Sequence, residues 1–117
     1  MDLPSNPATT RIRQIIINAE QPDNAGLFSL WFDLEGLEAD ELSEKARIAA
    51  AQSCVRLLLD AYADTLNPRH WRLQCLDQIY RPLMTLKRLV KTKQQQIEFQ
   101  QLMQELRVIS HFFQTHL

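Results

Sequence analysis

The sequence predicts an all-α fold, four to five helices bundled around one long central helix at about residues 40–66. Three observations predict it. First, residues 40–66 contain neither Gly nor Pro, and the run stops at Asn67-Pro68. Second, its apolar residues fall at helical spacing in two adjacent stripes. Leu42, Ala46, Ala49, Ala50, Leu57, Leu58 and Ala61 form one, and Ile48, Val55, Leu59, Tyr62 and Leu66 the other. Only a narrow polar wedge is left, Lys45, Gln52, Arg56, Asp60 and Asp64. A helix apolar over most of its circumference has to be covered on more than one side. Third, the 117 residues include two glycines, Gly26 and Gly36, too few for a β-rich fold with many tight turns. The length fits one helical domain, 1–117, and 45% hydrophobic residues supply a core.

Residues 1–6 read as a flexible lead-in. Asn6-Pro7 starts a first helix over 7–19, because Asn accepts from free N–H groups and Pro at the first position loses no needed donor. Ile12, Ile15, Ile16 and Ala19 face inward. Pro22-Asp23-Asn24 makes a turn. Residues 25–35 read as a second helix, capped by Asp23 or Asn24 and ended by Gly36. The β-branched run Ile15-Ile16-Ile17 and the alternation of Phe28, Leu30, Phe32 and Leu34 keep a competitor open. That competitor is an α+β fold with an N-terminal β-hairpin at about 11–34 packed on helices.

Asp40 is the expected cap of the central helix, with Glu41 and Glu44 at its positive end. Asn67 is the expected cap of a fourth helix from Pro68 towards Lys91. Within it, Pro82 removes one hydrogen bond and presses on the carbonyl of Gln78, which predicts a kink. Thr92-Lys93-Gln94-Gln95 fits a capping box for a last helix over 93–115, either separate or continuous with the fourth. Phe99, Leu102, Met103, Leu106, Ile109 and Phe113 are its apolar stripe; Ile97, Val108 and Phe112 lie off it.

The net charge of -1 gives no global pull towards nucleic acid or membrane. It is unevenly placed: residues 1–66 hold 5 basic and 11 acidic groups, residues 67–117 hold 8 and 3. No apolar run approaches the ~20 residues needed to span a bilayer, and the N-terminus shows no signal-peptide pattern. The expected location is cytoplasmic. Cys54 and Cys75 sit in apolar helical patterns and read as buried thiols. His70, His111 and His116 match no metal-ligand spacing. Asp60 and Asp64, one turn apart, lack the further ligands that acid/base or metal work needs. No cofactor or metal is therefore expected, and no enzyme. Residues 41–48 echo the first helix of a helix-turn-helix reader, but Ile48 is followed by three alanines where the turn belongs.

Two surfaces stand out. Gln94, Gln95, Gln96, Gln100, Gln101, Gln104 and Gln114 crowd the last helix. Amides can be buried in an interface without the desolvation cost of an ion. With the surplus apolar residues they mark a candidate protein interface: Gln101, Gln104, Val108, Phe112, Phe113 and Leu117. Arg81, Lys87, Arg88, Lys91 and Lys93 form a basic stretch that would contact phosphates. The expectation is a small interaction protein, a regulator or adaptor and a homodimer, recognising a protein partner. The alternative is a DNA-binding regulator using residues 81–93.

Overall fold

The computed structural model describes residues 6–116, with side chains through Gln114. The lead-in at 1–5 and Leu117 lie outside the described residues. Six helical segments follow in order: α1 Pro7–Ile17, α2 Gly26–Ala39, α3 Glu44–Ala63, α4 Arg69–Gln78, α5 Tyr80–Leu89 and α6 Lys93–His116. Among the described residues there is no strand. The N-terminal β-hairpin at 11–34 is thereby corrected. Ile12 and Ile16 are buried one turn apart on a helix, and Trp31, which breaks the strand alternation, is sealed in the core.

Asn6 caps α1 as expected, its side chain accepting from Ala8 N–H at 2.8 Å. The helix leaves through Ala19, whose φ is 50°. Ala19 N–H donates to the Ile16 carbonyl at 3.2 Å and Glu20 N–H to that of Ile15 at 3.0 Å. This is the paired bonding of a left-handed helix exit, with Ala where Gly is usual. No side chain caps α2; Ala25 holds that position, and Asn24 contributes its carbonyl to Leu27 N–H. Gly36 does not end α2, which continues to Ala39.

The central helix is shorter than 40–66. Ser43 is its cap, accepting from Ala46 N–H at 3.2 Å. Residues 40–43 form the turn out of α2, whose end is held by Arg47. Its Nε donates to the carbonyls of Ala39 at 2.8 Å and Leu42 at 3.1 Å. At the other end Asp64 turns to extended backbone, and its carboxylate accepts from Leu66 N–H at 2.9 Å. Leu66, assigned to an apolar stripe, is 92% exposed. The central role itself holds: α3 packs against each of the other five helices. Ile48, Val55, Leu58, Leu59, Ala61 and Tyr62 are all buried along it.

Asn67 is no cap. Its buried amide donates to the carbonyls of Ile17 at 3.0 Å and Ala61 at 3.1 Å, joining the ends of α1 and α3. Trp71 Nε1 adds a bond to the Ile16 carbonyl at 2.9 Å. The Trp71 ring stacks on Phe28, 4.7 Å between centroids. α4 and α5 are parted only at Ile79, which keeps helical dihedrals (φ −60°, ψ −32°). Counted as one interrupted helix, they leave five. The interruption falls beside Gln78, the carbonyl that Pro82 deprives of a donor. Thr92 and Gln95 complete the capping box, with Gln95 N–H donating to Thr92 Oγ1 and Thr92 N–H to Gln95 Oε1, each at 3.1 Å. Residues 82–116 are therefore two helices.

Candidate functional site

α6 has two faces, and its sequence sets both. Phe99, Leu102, Leu106, Ile109 and Phe113 turn inward against the core. Phe113 meets Tyr62 edge-on, 5.4 Å between centroids, and the Arg72 guanidinium lies 5.1 Å from its ring centre. Arg72 is buried and donates from Nε to the Tyr62 carbonyl at 2.7 Å. On the near flank Arg56 of α3 grips Glu105 with two bonds of 2.6 and 2.9 Å. The guanidinium holds the Glu105 carboxyl below its ordinary value.

The opposite face is open. Ile97, Val108 and Phe112 are 43%, 58% and 51% exposed. Gln101 and Gln104 lie exposed between them. Steps of four, three and four residues carry the stripe from Ile97 to Val108 within a wedge of about 60°, at 3.6 residues per turn. The stripe holds no charged residue. It forms a ridge with a hollow on either side. One is bounded by Gln52, Ser53 and Arg56 of α3, the other by Lys87 and Val90 of α5.

Of the six residues expected at an interface, Gln101, Gln104, Val108 and Phe112 share this face. Phe113 points into the fold, and Leu117 lies outside the described residues. Phe112 also packs edge-on against Phe113, 5.1 Å between centroids. Ile97, noted as off the buried stripe, belongs with the exposed four.

The basic stretch is divided. Arg81 and Arg88 border a groove of about 570 Å³ between α2, α3 and α5, and Arg81 lies 4.4 Å over the Phe32 ring. Lys87 and Lys93 stand instead at the α5–α6 hollow. Lys91 Nζ bonds Glu44 at 2.8 Å, joining the basic half of the chain to the acidic half. The sequence reading missed the groove. Ala50, Ala51 and Cys54 of α3 are among its lining residues, small side chains that border a hollow only once α2 and α5 are placed beside them.

Among the described residues no three His, Cys, Asp or Glu gather closely enough to hold a metal ion. Cys54 and Cys75 are free and buried, and burial pushes each thiol up to about 12. The thiolate that nucleophilic chemistry needs is strongly disfavoured there. His70 stands 3.1 Å from Asp23, an exposed pairing between the α4 start and the first turn. Among the described residues, no helix is long and apolar enough to cross a membrane. Comparison with protein-family models, curated proteins and solved structures finds no match.

Proposed function

We propose that the protein is a small interaction module, a regulator or adaptor, that presents the outer face of α6 to another protein. One observation carries the reading: the uncharged, exposed stripe Ile97–Gln101–Gln104–Val108–Phe112, set back to back with the stripe that holds α6 to the fold. Single exposed apolar residues are ordinary on a soluble protein. Three in register along one helical ridge, spaced by amides, fit helix recognition by a partner. Recognition rather than catalysis is the mode of action, and the two free thiols suit a reducing, cytoplasmic setting.

Affinity capture from native cells, run side by side with wild type and Val108→Glu, tests this. Val108 is 58% exposed, so a charge there leaves the core intact. A protein retained by wild type and released by the variant is the expected result. Identical captures from both would remove α6 as the working surface.

DNA binding through residues 81–93 is the lesser reading, because Arg81 and Arg88 lie along a groove apart from Lys87 and Lys93. It predicts affinity that falls steeply with salt. Gel shifts at low salt that show no complex would end it.

A further inference from the structure

We propose that the α6 ridge is occupied by a second copy of this chain, the two α6 helices lying parallel across a two-fold axis. The inference rests on the reading of α6 as an association surface. From Gln94 to Gln114 the helix spans three seven-residue repeats. Gln94, Ile97, Gln101, Gln104, Val108 and His111 recur at alternating steps of three and four, the spacing of a two-helix seam. Phe99, Leu106 and Phe113 fall at the repeat position opposite that seam and bind α6 to its own core. Pairing through the seam therefore leaves the fold undisturbed.

The flanks choose the orientation. One side of the seam carries Glu98, Glu105 and Phe112; the other carries Lys93, Gln100 and Arg107. In a parallel pair, each residue of the second row meets the residue five positions later in the first row of the other copy. Lys93 then meets Glu98, Gln100 meets Glu105, and Arg107 meets the Phe112 ring. In an antiparallel pair like rows face each other. With the same seam residues paired, Glu98 of each copy meets Glu105 of the other, carboxylate to carboxylate, which repels, and the Lys93–Glu98 contacts are lost. Charges from neighbouring elements modify this without reversing it. Arg56 of α3 already holds Glu105, and Lys87 of α5 stands beside the basic row. The Lys93–Glu98 contacts, two per dimer, thus carry most of the orientation. Gln101 and Gln104 in the seam lower its strength relative to apolar residues and fix its register by amide pairing. With Ile97 and Val108 as its only aliphatic seam residues, the dimer is transient, with a dissociation constant on the order of 10–100 micromolar.

Sedimentation equilibrium of the 117-residue chain tests the proposal. Wild type is expected to show a monomer–dimer equilibrium that Val108→Glu weakens at least about tenfold. Glu98→Lys and Lys93→Glu are each expected to weaken it about tenfold, and the two combined to restore it within about threefold. Gln101→Cys, treated with oxidised glutathione, is expected to give a disulfide between two copies at this one position, since like residues face each other in a parallel seam. A chain that stays monomeric to millimolar concentration overturns the second copy. If that monomer still loses its captured partner on Val108→Glu, the α6 surface stands and only its occupant is wrong. A dimer indifferent to Val108→Glu, or one that the combined charge reversal does not restore, overturns the seam.

Discussion

Two residues of the smallest kinds stand in each other's proper places. Ala19 closes α1 in the left-handed region at φ 50°, where a Cβ is crowded and glycine is at ease. Gly36 lies inside α2, and a Cβ built there meets nothing within 4 Å. Opposite substitutions should therefore both stabilise. Ala19→Gly relieves backbone strain, and Gly36→Ala removes unfolded-state freedom from a helix interior. Each is expected to raise the unfolding free energy by about 0.5–1 kcal/mol, read as a higher urea midpoint at unchanged slope. These positions also show how far single residues were legible. Asn6, Thr92 and Gln95 announced themselves because their chemistry acts on the next few backbone groups. Gly36 misled for the complementary reason: glycine permits a helix end without requiring one, and Arg47 with the 40–43 turn holds the actual end.

Helices here are fastened at their ends as much as along their faces. Asn67 is the clearest fastening, one buried amide donating to the last turns of both α1 and α3. Asn67→Ala strips a donor from two carbonyls and is expected to cost about 1–3 kcal/mol, seen as a lower thermal midpoint. The sequence read this residue as a local cap. Its partners are 50 and 6 residues away, and the distant one becomes visible only when α1 is docked. α6 is fastened differently, by the exposed Arg56–Glu105 pair over an apolar seam. Glu105 has a carboxyl lowered from its ordinary 4.5 by the Arg56 hydrogen bond. Its contribution is complete above that ordinary value and is lost as pH falls through the lowered one. Both side chains are nearly half exposed, so screening limits the effect to a few tenths of a kcal/mol. The protection of α6 amides, corrected for the intrinsic exchange rate at each pH, is expected to fall modestly below about pH 4.5 in wild type. A Glu105→Gln chain should lack that step.

At the scale of the molecule, the long apolar run around residues 44–63 organises everything else. Its periodicity was strong enough to place the core, because a helix wet on one narrow wedge leaves few ways to pack. The ends of elements and the α2–α3–α5 groove were not legible, since both arise from contacts between segments far apart in sequence. The ridge lies between these cases. The glutamine-rich composition and off-stripe apolar residues of α6 pointed to it. Helical spacing alone already puts Phe113 on the buried stripe and Ile97 off it; expecting Phe113 among the interface residues went against that spacing.

Amide chemical shifts of the chain, followed from micromolar to millimolar concentration, probe that ridge most directly. Progressive shifts at Ile97, Gln101, Gln104 and Val108, with Ala50 and Leu89 in the groove unmoved, are the predicted result. A spectrum that does not change with concentration would contradict pairing of two copies through the ridge, and changes gathered around the groove would contradict the ridge as the association surface.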